Sequence, residues 1–173
     1  MPISVASPRS TARLAPPLKA LVRGALALEN ARPGEIAIVL AGDAKLRELN
    51  RRWRGIDRAT DVLSFGYDDP APGPRRATKG AATAQRAPGG APAAISGDLV
   101  VSLDRVRVQA KRFRVTPGRE LARLVVHGAL HLAGLDHHRA NEREHMRTQE
   151  RRALRGVSAH VASLDAALVG APW

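Results

Sequence analysis

Three histidines in the C-terminal third of the chain have the spacing of a metal site. His127 and His131 are four residues apart, so on a helix both imidazoles lie on one face and can reach one point. Gly134 can take the left-handed conformation that ends a helix, which would turn the chain and bring His137 to that point. Three neutral imidazoles, with a fourth position left for water, are typical of a catalytic zinc site. The sequence therefore predicts that His127, His131 and His137 bind one zinc ion, although nickel and copper accept the same ligands.

The residue that follows the first histidine narrows the chemistry of this site. Zinc peptidases with a His-Glu-x-x-His motif carry their general-base glutamate there, whereas this chain has Gly128. Peptide hydrolysis by that mechanism is therefore disfavoured. A bound divalent cation still lowers the pKa of water to roughly 7, so hydrolysis of another kind of substrate is compatible with the motif.

Composition sets the class of protein. A chain of 173 residues with a hydrophobic fraction of 44% predicts one soluble domain, and no apolar run reaches the length of a membrane span. The absence of cysteine excludes disulfides and thiolate ligands, and it fits a cytoplasmic location. The net charge of +12 favours a nucleic-acid partner, but the excess of arginine over lysine is also typical of GC-rich genomes.

Hydrophobic periodicity and capping residues predict the elements that must position these histidines. Asp43 is the expected N-cap of a helix that Gly55 stops, and Ser102 and Thr116 are the expected caps of two later helices. The predicted helices cover residues 15–28, 43–55, 102–113, 116–132 and 140–154, and the predicted strands cover residues 35–41, 60–65 and 98–102.

This order of elements predicts an α+β fold, in which a small mixed β-sheet is covered by helices and the metal motif lies on a helix near the C-terminal end. The whole chain, residues 1–173, is expected to form the domain. Residues 68–96 are rich in Ala, Pro and Gly and predict a flexible surface loop, because they bury too little apolar surface to offset their ordering entropy. Residues 157–173 are interpreted as a C-terminal tail.

Several separated motifs resemble one known family. Residues 127–137 have the pattern His-Gly-x-Leu-His-Leu-x-Gly-x-Asp-His. Further blocks are Leu-Asn at 49–50, Trp-Arg-Gly at 53–55, Thr-Asp-Val-Leu-Ser-Phe at 60–65, Gly-Asp-Leu-Val-Val-Ser at 97–102 and a closing helix at 146–154. Together they resemble the YbeY family of bacterial endoribonucleases over about residues 18–154. Gly66 departs from the family's usual proline, and the Ala/Pro/Gly-rich loop is longer than usual.

The resemblance implies a zinc-dependent, single-strand-specific endoribonuclease with a zincin-like metal helix. Such an enzyme would act in 16S rRNA 3′-end maturation and in quality control of 70S ribosomes. Its partner would be single-stranded rRNA on the ribosome or its small subunit, without a membrane. The zinc ligands would be His127, His131 and His137, and Arg54 would be the family's functional arginine in the cleft.

Alternatives remain at this point. Arg54 is suited to bind phosphate oxygens, but without the family resemblance a surface salt bridge would be the favoured interpretation. The protein could be a ribosome-assembly factor with a mainly structural zinc or, less favoured, a metallopeptidase. The sequence does not distinguish attack by water from attack by the ribose 2′-hydroxyl, and it does not predict the oligomeric state.

Overall fold

Four strands and six helices occur in the part of the chain that the structure, a computed structural model, describes: residues 3–7, 12–67, 91–135 and 139–169. In chain order they are β1 (Ile3–Ala6), α1 (Ala15–Leu28), β2 (Ala31–Ala41), α2 (Asp43–Arg54), β3 (Val62–Gly66), β4 (Ala93–Ser102), α3 (Leu103–Phe113), α4 (Pro117–Leu132), α5 (Ala140–Ala153) and α6 (Ser158–Leu168).

The strands form one mixed sheet in the order β1-β2-β4-β3. β1, β2 and β4 are parallel, and β3 pairs antiparallel with β4 at one edge. Successive side chains of a strand point to opposite faces of the sheet, so neighbouring residues of β3 lie on different faces. Ser64 pairs with Leu99 on one face, and Phe65 pairs with Asp98 on the other.

Each face of the sheet is covered by helices, which confirms the predicted α+β fold with a small mixed sheet. The larger core includes Ile38 and Leu99 of the sheet and buried residues of α1, α3, α4 and α6. On the other face, Leu46 of α2 packs with Leu63 and Val100. The helix α2 therefore lies on the opposite face from α4. No helix in the described ranges is long and apolar enough to cross a membrane.

Most helix boundaries agree with the sequence, and one cap does not. The Oγ atom of Ser102 accepts a hydrogen bond from Arg105 N at 3.2 Å, which confirms the predicted cap of α3. Gly42, and not Asp43, is the N-cap of α2. The N–H of Asp43 donates to Asp104 Oδ2 at 2.8 Å, while its own carboxylate accepts from the Ser102 hydroxyl at 2.6 Å. The prediction for Asp43 was wrong because α3, a distant segment, supplies the acceptor.

Two further expectations need correction. β4 begins at Ala93, so residues 93–96 belong to a strand paired with β2 and not to a loop; residues 68–90 lie outside the described part of the chain. Residues 158–168 form α6, which buries Leu164 and Leu168 and is no tail. Asp165 Oδ1 accepts a hydrogen bond from Gly118 N at 2.6 Å, so α6 also satisfies a donor at the start of α4. These tertiary pairings outweigh the weak local pattern of both segments.

Candidate active site

The helix α4 carries the histidine motif and is anchored at both ends. The hydroxyl of Thr116 accepts from Arg119 N at 3.2 Å, as expected for the cap. At the other end Gly134 has a φ of +94°, and Leu135 N donates to Leu130 O at 3.1 Å. The predicted left-handed glycine is therefore present. The face of α4 that packs in the core is buried, and it includes Leu121, Leu124, Val125, Gly128 and Leu132.

The two helical histidines point at each other. The Nε2 atoms of His127 and His131 are 3.0 Å apart, and the ring planes meet at 76° with centroids separated by 4.6 Å. Spacing of four residues on a helix produces this convergence, as the sequence indicated. His137 lies outside the described residues, so its approach to the pair stays a prediction. Among the described residues no group of three or more His, Cys, Asp or Glu side chains is arranged so that it could hold a metal ion.

A carboxylate from a different helix orients the first histidine. Glu150 of α5 accepts a hydrogen bond from Nδ1 of His127, and both side chains are partly buried. An ionised carboxylate can only accept, so the proton is assigned to Nδ1 and Nε2 keeps its lone pair. A metal-binding histidine needs this tautomer, and a carboxylate on the other ring nitrogen is its usual support. Sequence reasoning missed this role of Glu150.

The donor set fits zinc as far as the structure describes it. Two nitrogens bound tetrahedrally at the usual zinc–nitrogen length would be about 3.3 Å apart. The two Nε2 atoms are 3.0 Å apart, and one ring is held in the tautomer that coordination requires. His127 and His131 would therefore hold a zinc ion at their shared point with little movement.

The absence of a glutamate at position 128 has a structural reason. A Cβ atom on Gly128 would lie 2.9 Å from Leu99 Cδ2 and 3.3 Å from Ser64 Oγ. The Ser64 hydroxyl also donates to the carbonyl of Gly128 at 3.2 Å. This face of α4 is packed against β3 and β4, so any side chain at position 128 would have to displace Leu99.

An ion pair between Glu120 and Arg123 occupies the two helical turns before His127. Glu120, whose side chain is 2% exposed, accepts two hydrogen bonds from Arg123, at 3.0 Å from Nε and 2.7 Å from Nη2. Arg123 also donates to Gln109 Oε1 at 3.2 Å. The hydrogen bond to Glu120 raises the pKa of Arg123, and the charges of Glu150 and Asp61 add to this effect. Arg123 is thus a fixed cation beside the histidine pair.

Arg54 is the last residue of α2 and is exposed. Its neighbour Trp53 packs against Phe65 of β3, with ring centroids 6.2 Å apart. The helices α2 and α4, which carry Arg54 and the two histidines, cover opposite faces of the sheet. Among the described residues β3, which packs under both helices, is an edge strand. The role of Arg54 in the site stays a prediction.

Comparison with known proteins identifies the family. The family model described as Endoribonuclease YbeY matches residues 8–158. A protein named Endoribonuclease YbeY from Limosilactobacillus fermentum is 38% identical over 80% of this chain and 83% of its own length. Another with that name, from Anaeromyxobacter sp., is 41% identical over 67% of this chain. The chain therefore belongs to the YbeY endoribonuclease family, as the motifs predicted.

Some relatives are much longer than the part of them that this chain matches. The chain spans 50% of the Anaeromyxobacter relative and 40% of a Myxococcus xanthus relative that is 39% identical. The solution structure of a Thermotoga maritima protein is similar with a TM-score of 0.55 and 23% identity, covering 95% of this chain and 90% of that one. At that identity the structural likeness supports the fold alone.

Proposed function

We propose that this protein is a zinc-dependent endoribonuclease that cleaves single-stranded RNA. The observation that carries the proposal is the 3.0 Å approach of the Nε2 atoms of His127 and His131, with Glu150 behind His127, in a chain of the YbeY family. The relatives bear the name endoribonuclease, and a net charge of +12 suits a polyanionic substrate.

Each residue has a defined task in this proposal. His127, His131 and His137 hold the zinc ion, and α4 positions the first two. A zinc ion there would supply a Lewis-acidic centre and lower the pKa of a bound water to roughly 7. Glu150 fixes the tautomer of His127. Arg54 binds non-bridging oxygens of the scissile phosphate, where negative charge grows in the transition state.

The proposed substrate is the 3′ end of 16S rRNA, together with rRNA of defective 70S ribosomes, in the cytoplasm. This assignment extends the family's role to this chain. Two rivals make different predictions. A peptidase of the His-Glu-x-x-His type needs a base at position 128, which is a glycine here and is packed closely against Leu99. An assembly factor with a structural zinc would lose its fold, and not only an activity, when the metal is removed.

The decisive experiment combines metal analysis with an RNA-cleavage assay. We expect about one zinc per chain, loss of cleavage with His131→Ala, and a fall of roughly 10²–10³ in kcat with Arg54→Ala if that cation stabilises the transition state. Matched controls are His145→Ala, an exposed histidine on α5, and Arg23→Ala, an exposed helical arginine on α1. Both controls should cleave normally.

Three outcomes would contradict the proposal. The first is a wild-type protein that binds zinc but leaves single-stranded RNA intact. The second is a His131→Ala variant that is as active as wild type. The third is a His131→Ala variant that urea titrations show to be unfolded already without urea. The last would favour the structural zinc. Product analysis then identifies the nucleophile: a 2′,3′-cyclic phosphate indicates the ribose 2′-hydroxyl, and a 5′-phosphate indicates water.

A further inference from the structure

Three aromatic side chains are grouped beside the edge strand, on the face opposite the histidines. The rings of Trp53 and Phe65 have centroids 6.2 Å apart and are tilted by 54°. Tyr67 follows two residues after Phe65, and its hydroxyl donates to Asp98 Oδ1 at 2.8 Å. Asp98 is paired with Phe65 in the sheet, so this hydrogen bond directs the Tyr67 side chain to the face that carries Phe65. We call Trp53, Phe65 and Tyr67 the aromatic platform; the chain has five aromatic residues in all.

Core packing explains only part of the platform. Phe65 packs against the small cluster of Leu46, Leu63 and Val100, so its ring has a structural role. Tyr67, by contrast, is 51% exposed, and Trp53 is only partly buried. Adjoining aromatic rings that stay partly exposed, as Trp53 and Phe65 do, mark a binding surface more often than isolated exposed side chains do. The ring of Tyr67 therefore needs a reason other than the core.

Cations are frequent in the segment that carries Trp53. Four exposed arginines lie at the end of α2 and just after it: Arg51, Arg52, Arg54 and Arg58. The guanidinium of Arg52 lies 5.2 Å from the centre of the Trp53 ring. The nearby carboxylate of Asp57 is taken up by Arg47, through contacts of 2.8 and 2.9 Å. The surface around Trp53 is therefore positive, whereas Tyr67 lies beside the carboxylates of Asp98 and Glu35.

Aromatic rings interleaved with arginines suit one kind of partner. In a single strand of RNA the bases are free to stack on aromatic side chains while the phosphates contact cations. In a duplex the bases are already stacked on one another and cannot reach such rings. Trp53, with the guanidinium of Arg52 over its ring, therefore suits an unpaired strand better than a duplex.

We propose that the aromatic platform is a subsite for unpaired RNA bases, lying across β3 from the histidine pair. The inference rests on the proposed nuclease function and names how that site selects its substrate. Ser64 faces α4 and donates to Gly128 O, whereas the next residue, Phe65, lies on the other face and belongs to the platform. A single strand that stacks on the platform would pass around the β3 edge of the sheet to reach the histidines.

The test uses the fluorescence of Trp53 in the full-length chain. Trp173→Phe leaves Trp53 as the sole tryptophan, and a chelator removes metal so that no RNA is cleaved. The ligands are an oligouridine of about ten nucleotides, within the usual site size for single strands, an abasic strand of the same length, and a duplex. We expect the oligouridine to quench Trp53 and the abasic strand to bind at least about tenfold more weakly without quenching, since one stacked base contributes that much.

Substitutions at an exposed ring separate stacking from folding. Tyr67→Leu removes the ring and should weaken oligouridine binding about tenfold, whereas Tyr67→Phe keeps the ring and should bind as wild type does. The matched control is Phe113→Leu, because Phe113 is 54% exposed and also has an arginine, Arg112, 5.7 Å from its ring. This control should leave binding unchanged.

The subsite is refuted if the abasic strand or the duplex binds as tightly as oligouridine, or if Phe113→Leu weakens binding as much as Tyr67→Leu. Its failure is distinct from failure of the nuclease proposal. Zinc-dependent cleavage with an unchanged KM in Tyr67→Leu would refute the subsite and keep the nuclease. Quenching by oligouridine without any cleavage by the zinc form would do the reverse.

Discussion

Glu150 of α5 accepts a hydrogen bond from Nδ1 of His127 of α4, across 23 positions of sequence. The contact fixes which ring nitrogen of His127 carries the proton, and therefore which nitrogen presents a lone pair. The proposed metal site thus depends on a helix that contributes none of its ligands. The packing of α5 against α4 is therefore a requirement of the proposed metal site.

Removing this carboxylate should weaken metal binding and leave the fold intact. Since such supporting carboxylates typically contribute a factor of 10–100 in affinity, Glu150→Ala should raise the zinc Kd by about that factor. Glu150→Gln keeps an acceptor but loses the charge, so its zinc Kd should lie between those of wild type and Glu150→Ala. A competition titration with a chromophoric chelator measures this. Glu144→Ala on the same helix is the control, because Glu144 is exposed and pairs with Arg151. An equal loss in both variants would contradict the orienting role.

Two helical glycines should respond in opposite ways to alanine. Gly128→Ala forces a methyl group to within 2.9 Å of Leu99 in the buried core, and we expect a loss of about 1–3 kcal/mol in the free energy of unfolding. A methyl group on Gly24 of α1 would meet no neighbouring atom within 4 Å, so Gly24→Ala should gain roughly 0.5–1 kcal/mol from helix propensity. Urea unfolding of both variants gives the comparison. A Gly128→Ala protein as stable as wild type would refute the tight packing.

Removing only one partner of the ion pair between Glu120 and Arg123 should lower the free energy of unfolding. Arg123→Met leaves the buried Glu120 carboxylate without its partner, and we expect a loss of about 3 kcal/mol, the low end for buried pairs because Arg123 keeps some solvent contact. The double variant Glu120→Leu with Arg123→Met should recover much of that loss. Arg151→Met, which breaks an exposed pair, should stay within about 0.5 kcal/mol of wild type. Additive losses in the double variant would contradict this account.

The chain has one tyrosine, Tyr67, so the titration of its phenol can be measured directly. The hydrogen bond to Asp98 raises the pKa of Tyr67, and partial burial adds to the shift. An ultraviolet titration should place its midpoint above the usual value of about 10, lower in Asp98→Asn and lowest in Asp98→Ala. Because the folded state favours the neutral phenol, its stabilisation is complete below about pH 10 and is lost as pH rises through the raised pKa. Identical midpoints in the three proteins would exclude the hydrogen bond.

The sequence determined the parts of the fold that depend on local chemistry. The cap at Ser102, the left-handed Gly134 and the helix that carries His127 and His131 were all predicted, since capping and helical periodicity act over a few residues. The convergence of His127 and His131 follows from the same periodicity. The family could likewise be recognised from motifs, which the family comparison confirmed.

Tertiary structure decided what depends on segments far apart in the chain. The acceptor for the N–H of Asp43 comes from Asp104, α6 is stabilised by burial of Leu164 against other helices, and residues 93–96 become a strand by pairing with β2. The support of His127 by Glu150 has the same origin. Short-range patterns carry no information about which distant groups meet, because that choice is made by packing of the whole core.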